Sequence, residues 1–161
     1  MRRSERRLPH WDAVEQPLFV TFRLHGTLPS NRIFVPEVLA NAGKAFVAMD
    51  RILDGGRCGP SYLRMPEVAA IVDAALQAGE SRFERYQLHS YVVMPNHVHV
   101  LVTPHVVAPQ WLGPLKGFTA HEVTEFWDSA ANIFGRMRAM IISSDPIASL
   151  IAFGIILSRI L

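Results

Sequence analysis

A single cysteine, Cys58, stands in the 161 residues of this chain. A lone thiol excludes an intramolecular disulfide framework and suits a reducing compartment such as the cytoplasm. Gly59 and Pro60 follow it in a loop-like stretch, and nothing nearby in sequence would activate it as a nucleophile. No apolar segment stands behind the N-terminal arginines, so no signal peptide is expected. The run 147–157 is almost entirely apolar but falls short of the ~20 residues that a membrane span needs. Charge is nearly balanced, with 16 Lys plus Arg against 14 Asp plus Glu. Composition alone therefore does not announce a nucleic-acid binder. Tyrosine is scarce: Tyr62, Tyr86 and Tyr91 are the 3 in the chain, and none follows Trp127. From 129 to 161 there is neither Lys nor Glu.

What is present is enough for one domain. Half of the residues are apolar, which supports one real core and leaves little room for a second. Arg2, Arg3, Arg6 and Arg7 crowd the first seven positions around Glu5; such an arm either lies on phosphate or is a solvated terminus. Residues 19–25, with aromatic and β-branched side chains in partial alternation, predict a strand. Residues 36–53 predict a helix with Val38, Ala45, Phe46, Met49 and Leu53 near one face. A second helix is expected from Pro66 to Ala78, with Gly79 just past its end. Residues 84–94 and 97–103 predict two strands joined by a tight turn at Pro95 and Asn96. A last helix is expected over 114–127. This order predicts an α+β domain, an antiparallel sheet with helices packed on one face.

The chemistry centres on His97-Val98-His99. Alternation along a strand puts residues two apart on one face, ~7 Å apart at the α-carbons. Two neutral imidazoles so placed can grip one divalent ion; the other reading is a pair of exposed or satisfied histidines on an edge strand.

The stretch Tyr91-Val92-Val93-Met94-Pro95-Asn96-His97-Val98-His99-Val100-Leu101-Val102 resembles the signature of single-tyrosine HUH transposases of the insertion-sequence type. Arg7-Leu8-Pro9-His10-Trp11, Phe19-Val20-Thr21-Phe22-Arg23-Leu24-His25-Gly26, Leu115-Lys116-Gly117-Phe118-Thr119-Ala120 and Phe126-Trp127 resemble the REP-associated tyrosine transposases, in matching order. The resemblance covers residues 7 to about 128. It implies a ferredoxin-like domain over 1–128, with an atypical apolar tail over 129–161. It implies that His97 and His99 hold Mg²⁺ or Mn²⁺, which polarises a phosphate of single-stranded or hairpin DNA formed by a repetitive extragenic palindrome. A tyrosine on a later helix would attack and form a 5′-phosphotyrosine link. Arg23 and Lys116 suit phosphate contacts by charge, or are solvated surface residues. A homodimer is left open, no membrane is favoured, and the expected location is the cytoplasm. A non-catalytic binder of DNA hairpins is the alternative function.

The departure is the nucleophile. The family places it after Phe-Trp, in a segment reading roughly EYFDR, whereas no tyrosine follows Trp127 here. The family's third metal ligand, on the same helix, has no place either. A one-nucleotide shift accounts for both. Back-translated one nucleotide early, 154–161 reads RHYIESNP, close to the family's RYIENNP. The same shift over 131–134 permits SEYF. The rival account is a genuinely divergent tail, such as a membrane-associated helix. Resequencing the encoding DNA from the Phe126 codon past the stop is expected to show one missing or extra nucleotide near codons 128–131. A frame that stands as written sinks the shift.

Overall fold

The computed structural model describes residues 14–29, 42–134 and 142–143. The arginine arm, the motif at 7–11, residues 36–41 and nearly all of the tail lie outside the described residues.

Three long strands make an antiparallel sheet: β1 (Leu18–Leu24), β2 (Tyr86–Val93) and β3 (His97–Pro104). A two-residue strand, β4 (Ile142–Ser143), lies along β1 and completes the order β2-β3-β1-β4, the ferredoxin-like arrangement. Three α-helices accompany the sheet: α1 (Ala42–Asp54), α2 (Pro66–Ser81) and α3 (Ala108–Phe134). The hairpin turn at Pro95–Asn96 closes with Met94 N–H donating to the His97 carbonyl at 2.8 Å. A bulge between Leu88 and Ser90 inserts His89 into β2.

Alternation along the strands divides the sheet into two faces. Val20, Phe22 and Leu24 of β1 and Val98, Val100 and Val102 of β3 are almost fully buried on one face. They meet Val68, Val72 and Leu76 of α2 and Trp111, Leu115, Val123 and Trp127 of α3 in a single apolar cluster. Each large aliphatic side chain so buried contributes about 1.5–3 kcal/mol. The expected layer of helices on one face is thus present, formed by α2 and α3. Helix α1 lies on the other face, where Phe46 meets Phe19 edge-on with ring centroids 5.5 Å apart. It is anchored by a smaller cluster of Leu28, Met49 and Leu53. Among the described residues no helix is long and apolar enough to cross a membrane.

Two helix boundaries differ from the sequence expectation for identifiable reasons. Helix α3 begins six residues before Pro114. A proline there cannot donate to the carbonyl four residues back, that of Gln110. The Arg85 guanidinium makes that bond instead, at 3.0 Å, so the helix runs through. Helix α2 does not stop at Ala78 but includes Gly79. The glycine is needed for packing rather than termination: a Cβ at Gly79 would collide with the hydroxyl and ring of Tyr86. That ring is buried, and its hydroxyl donates to the Leu76 carbonyl at 2.9 Å. Burial, helped by Glu80, pushes the Tyr86 phenol up to about 12.

Glycine to alanine inside a helix normally stabilises by roughly 1 kcal/mol. Gly79→Ala is expected to do the opposite and to lower stability by about 1–3 kcal/mol through overpacking, read by urea unfolding. A stabilised variant would show that Tyr86 does not occupy this space.

Candidate metal centre

His97 and His99 leave β3 on the face opposite the main core, under α1. The centre is built outward from Asn96, which is almost fully buried. Its side-chain amide donates to the Leu53 carbonyl at the end of α1, 2.8 Å away. A carbonyl only accepts, so this contact fixes which end of the amide is nitrogen. The Asn96 Oδ1 therefore faces His97 Nδ1 at 2.6 Å, and the imidazole must donate there. The neutral ring then carries its lone pair on Nε2. Burial, with His99 adding to it, lowers the His97 pKa to about 4, so that lone pair is available throughout the neutral range.

The second histidine is fixed differently. His99 Nδ1 lies 2.7 Å from the Thr21 hydroxyl across the β1–β3 pair. Its ring stacks on Phe19 with centroids 5.4 Å apart. Its Nε2 comes 3.0 Å from His97 Nε2. Helix α1 supplies the third group: Asp50 Oδ1 is 3.1 Å from His99 Nε2 and 3.8 Å from His97 Nε2. That oxygen is buried and faces both imidazoles. Burial raises the Asp50 pKa; His99 pulls it back and Asp54 adds to the rise. Asp54, one turn further on, is 52% exposed and reaches within 3.9 Å of His97 Nε2.

Three donor atoms thus converge within 4.8 Å of one another, two of them imidazole nitrogens and one a buried carboxylate oxygen. The set fits a divalent cation. With bonds of about 2.1 Å at right angles, ligand atoms sit about 3.0 Å apart, close to two of the three separations found. Nitrogen donors favour Mn²⁺ or Zn²⁺ over Mg²⁺, which prefers oxygen.

Of the other sequence candidates, Arg23 is brought to this face. It pairs with His97 across the strands. It is 7% exposed, not a solvated surface residue, and its guanidinium donates to the Leu24 carbonyl and the Thr27 hydroxyl. Lys116 is on α3, in the layer behind the sheet, where burial pulls its amine below the ordinary value. None of the three tyrosines is at the donors. Tyr86 and Tyr91 project to the helical face, Tyr91 donating to Asp73 of α2, and Tyr62 packs edge-on against Trp127.

Asp50, Asn96 and Thr21 were not singled out as site residues by sequence reasoning. The signal for Asp50 was present. Phe46, Asp50 and Asp54 stand at successive intervals of four, one stripe on a helix, beside the apolar Met49 and Leu53. Nothing in the sequence said which strand that stripe faces.

Asp50→Ala is expected to weaken Mn²⁺ binding by at least about tenfold in calorimetry at neutral pH, and Asp54→Ala far less. Equal effects would remove Asp50 from the ligand set. Asn96→Ala is expected to lower stability by about 1–3 kcal/mol and Mn²⁺ affinity by about 10–100-fold. Because the folded His97 pKa is depressed from 6.5 to about 4, its contribution to stability is complete above pH 6.5. It is lost as pH falls toward 4. Metal-free protein followed by acid titration should lose stability in that window. No family model matches the chain, and neither does any curated protein or solved structure.

Proposed function

We propose that this chain is a divalent-cation-dependent binder of single-stranded or hairpin DNA, of the kind that REP-associated tyrosine transposases represent, without a tyrosine for strand cleavage. The observation that carries the reading is the convergence of Asp50, His97 and His99 on one face of the sheet. The surroundings support it. Val92, opposite His99 on β2, is 46% exposed, an apolar surface beside the donors on which a base could lie. A divalent cation such as Mn²⁺, held by Asp50, His97 and His99, would supply positive charge to a phosphoryl oxygen. The chain's own residues do the rest. Asn96 holds the proton on His97 Nδ1 and so aims its Nε2 at the centre, while Thr21 and Phe19 hold the ring of His99.

A phosphotyrosine intermediate needs a phenol within reach of the cation-bound phosphate. Tyr86 is committed to the Leu76 carbonyl and Tyr91 to Asp73, both across the sheet from the donors, and Tyr62 lies against Trp127. The binding reading is therefore favoured over strand cleavage for this chain.

The test is gel-shift binding of a palindromic DNA hairpin with and without Mn²⁺, run beside a denaturing gel for covalent adducts. Binding is expected to strengthen with Mn²⁺ and to lose that response in His97→Ala and His99→Ala, with no adduct formed. A covalent adduct would overturn the absence of a nucleophile. Failure to bind any hairpin would overturn the DNA reading as a whole.

A further inference from the structure

Behind the sheet, on the side away from the histidines, a cleft of about 280 Å³ opens between α2, α3 and the segment entering β2. It is just below the usual size of ligand pockets, about 300–1,000 Å³, and suits a small flat group. Its walls are flat aromatic rings as well as aliphatic side chains. Phe83 and Phe118 line it, 52% and 51% exposed. Trp111 and Leu115 are buried in its wall. The Trp111 indole N–H is buried without an acceptor among the described residues, in a lining otherwise poor in polar groups. Two cations sit at the rim. The guanidinium carbons of Arg82 and Arg85 lie 5.4 and 5.1 Å from the centre of the Phe83 ring. Neither has a carboxylate partner among the described residues, and Arg85 spends one donor on Gln110 out of five.

Two half-exposed phenylalanines lining one apolar cleft mark a surface suited to a ligand. The occupant must combine a flat apolar body with at least one negative charge held close to it, and a hydrogen-bond acceptor would suit the indole. A nucleotide has that combination: a base that stacks on aromatic rings and a phosphate that arginine recognises.

We propose that this cleft takes a single unpaired base of DNA, stacked on Phe83 and Phe118, with its phosphate on Arg82 and Arg85. It is a second contact for single-stranded DNA, separate from the cation centre and independent of it. The inference rests on the DNA-binding reading above and adds to it where the strand is held.

The experiment follows the backbone amide signals of Phe83 and Phe118 in the ¹⁵N-labelled full chain, without metal. The probes are 5′-phosphorylated pentathymidylate, an abasic pentamer of equal charge, and an acidic peptide carrying one phenylalanine. Saturable shifts are expected with pentathymidylate, and affinity at least about tenfold weaker for the abasic pentamer. Phe118→Ala and Phe83→Ala, both at exposed positions, should each weaken binding by about tenfold. Arg82→Ala should also weaken it and flatten its salt dependence. Equal binding of the abasic pentamer, tighter binding of the peptide, or an unchanged Phe118→Ala variant would each overturn the assignment. Mn²⁺-dependent hairpin binding is measured on the same variants. If Phe118→Ala leaves both that and the pentathymidylate affinity intact, only the cleft assignment falls. If wild-type protein binds neither DNA, the functional reading falls with it.

Discussion

The candidate metal centre is organised around the buried side chain of Asn96. One amide there makes two bonds in opposite senses. It donates to the last turn of α1 at the Leu53 carbonyl and accepts from the His97 imidazole. Its own main-chain carbonyl accepts from Leu24 N–H at 2.9 Å, tying the turn to β1 as well. Three elements that are distant in sequence are thereby fixed around one hairpin turn. The same amide sets the tautomer of His97, and the tautomer decides whether the ring offers a lone pair or a proton to Asp50 and His99. Each of these groups is buried or nearly so, so leaving one unpaired would cost about 1–3 kcal/mol. The arrangement is accordingly specific.

The second governing constraint is the alternation of β3. Val98, Val100 and Val102 point into the core between sheet and helices, and this leaves His97 and His99 on the reverse face. Stability and chemistry are thus assigned to opposite sides of one strand. A shift of one residue in register would exchange the two sets, and the turn closed by Met94 and His97 prevents it. The tyrosines follow the same rule. Tyr91 pairs with Val100 and so belongs to the core side, which explains why a phenol so close in sequence to the histidines is far from them in use.

Helix α1 changes what the histidines are. On a bare sheet face they would be two imidazoles 3.0 Å apart at Nε2, a contact that favours one shared proton. Asp50 adds a buried negative oxygen and turns the pair into a set that attracts a cation. Its carboxylate has a raised pKa while it stands alone, as expected for a charge taken partly out of water.

The sequence by itself determined the order of the long strands and helices, the antiparallel hairpin, the apolar face of α1 that carries Met49 and Leu53, and the placing of His97 and His99 on one face. All of these follow from local periodicity, in which neighbours along the chain decide which side a residue takes. It also determined that no tyrosine follows Trp127. Tertiary structure alone decided that α1 crosses the reverse face and delivers Asp50, that Asn96 joins three elements, and that Gly79 makes room for Tyr86. It also decided that Pro114 sits inside a helix because Arg85 satisfies the carbonyl it abandons. Each of these is a contact between residues far apart in the chain, and periodicity carries no information about which distant face a helix will cover.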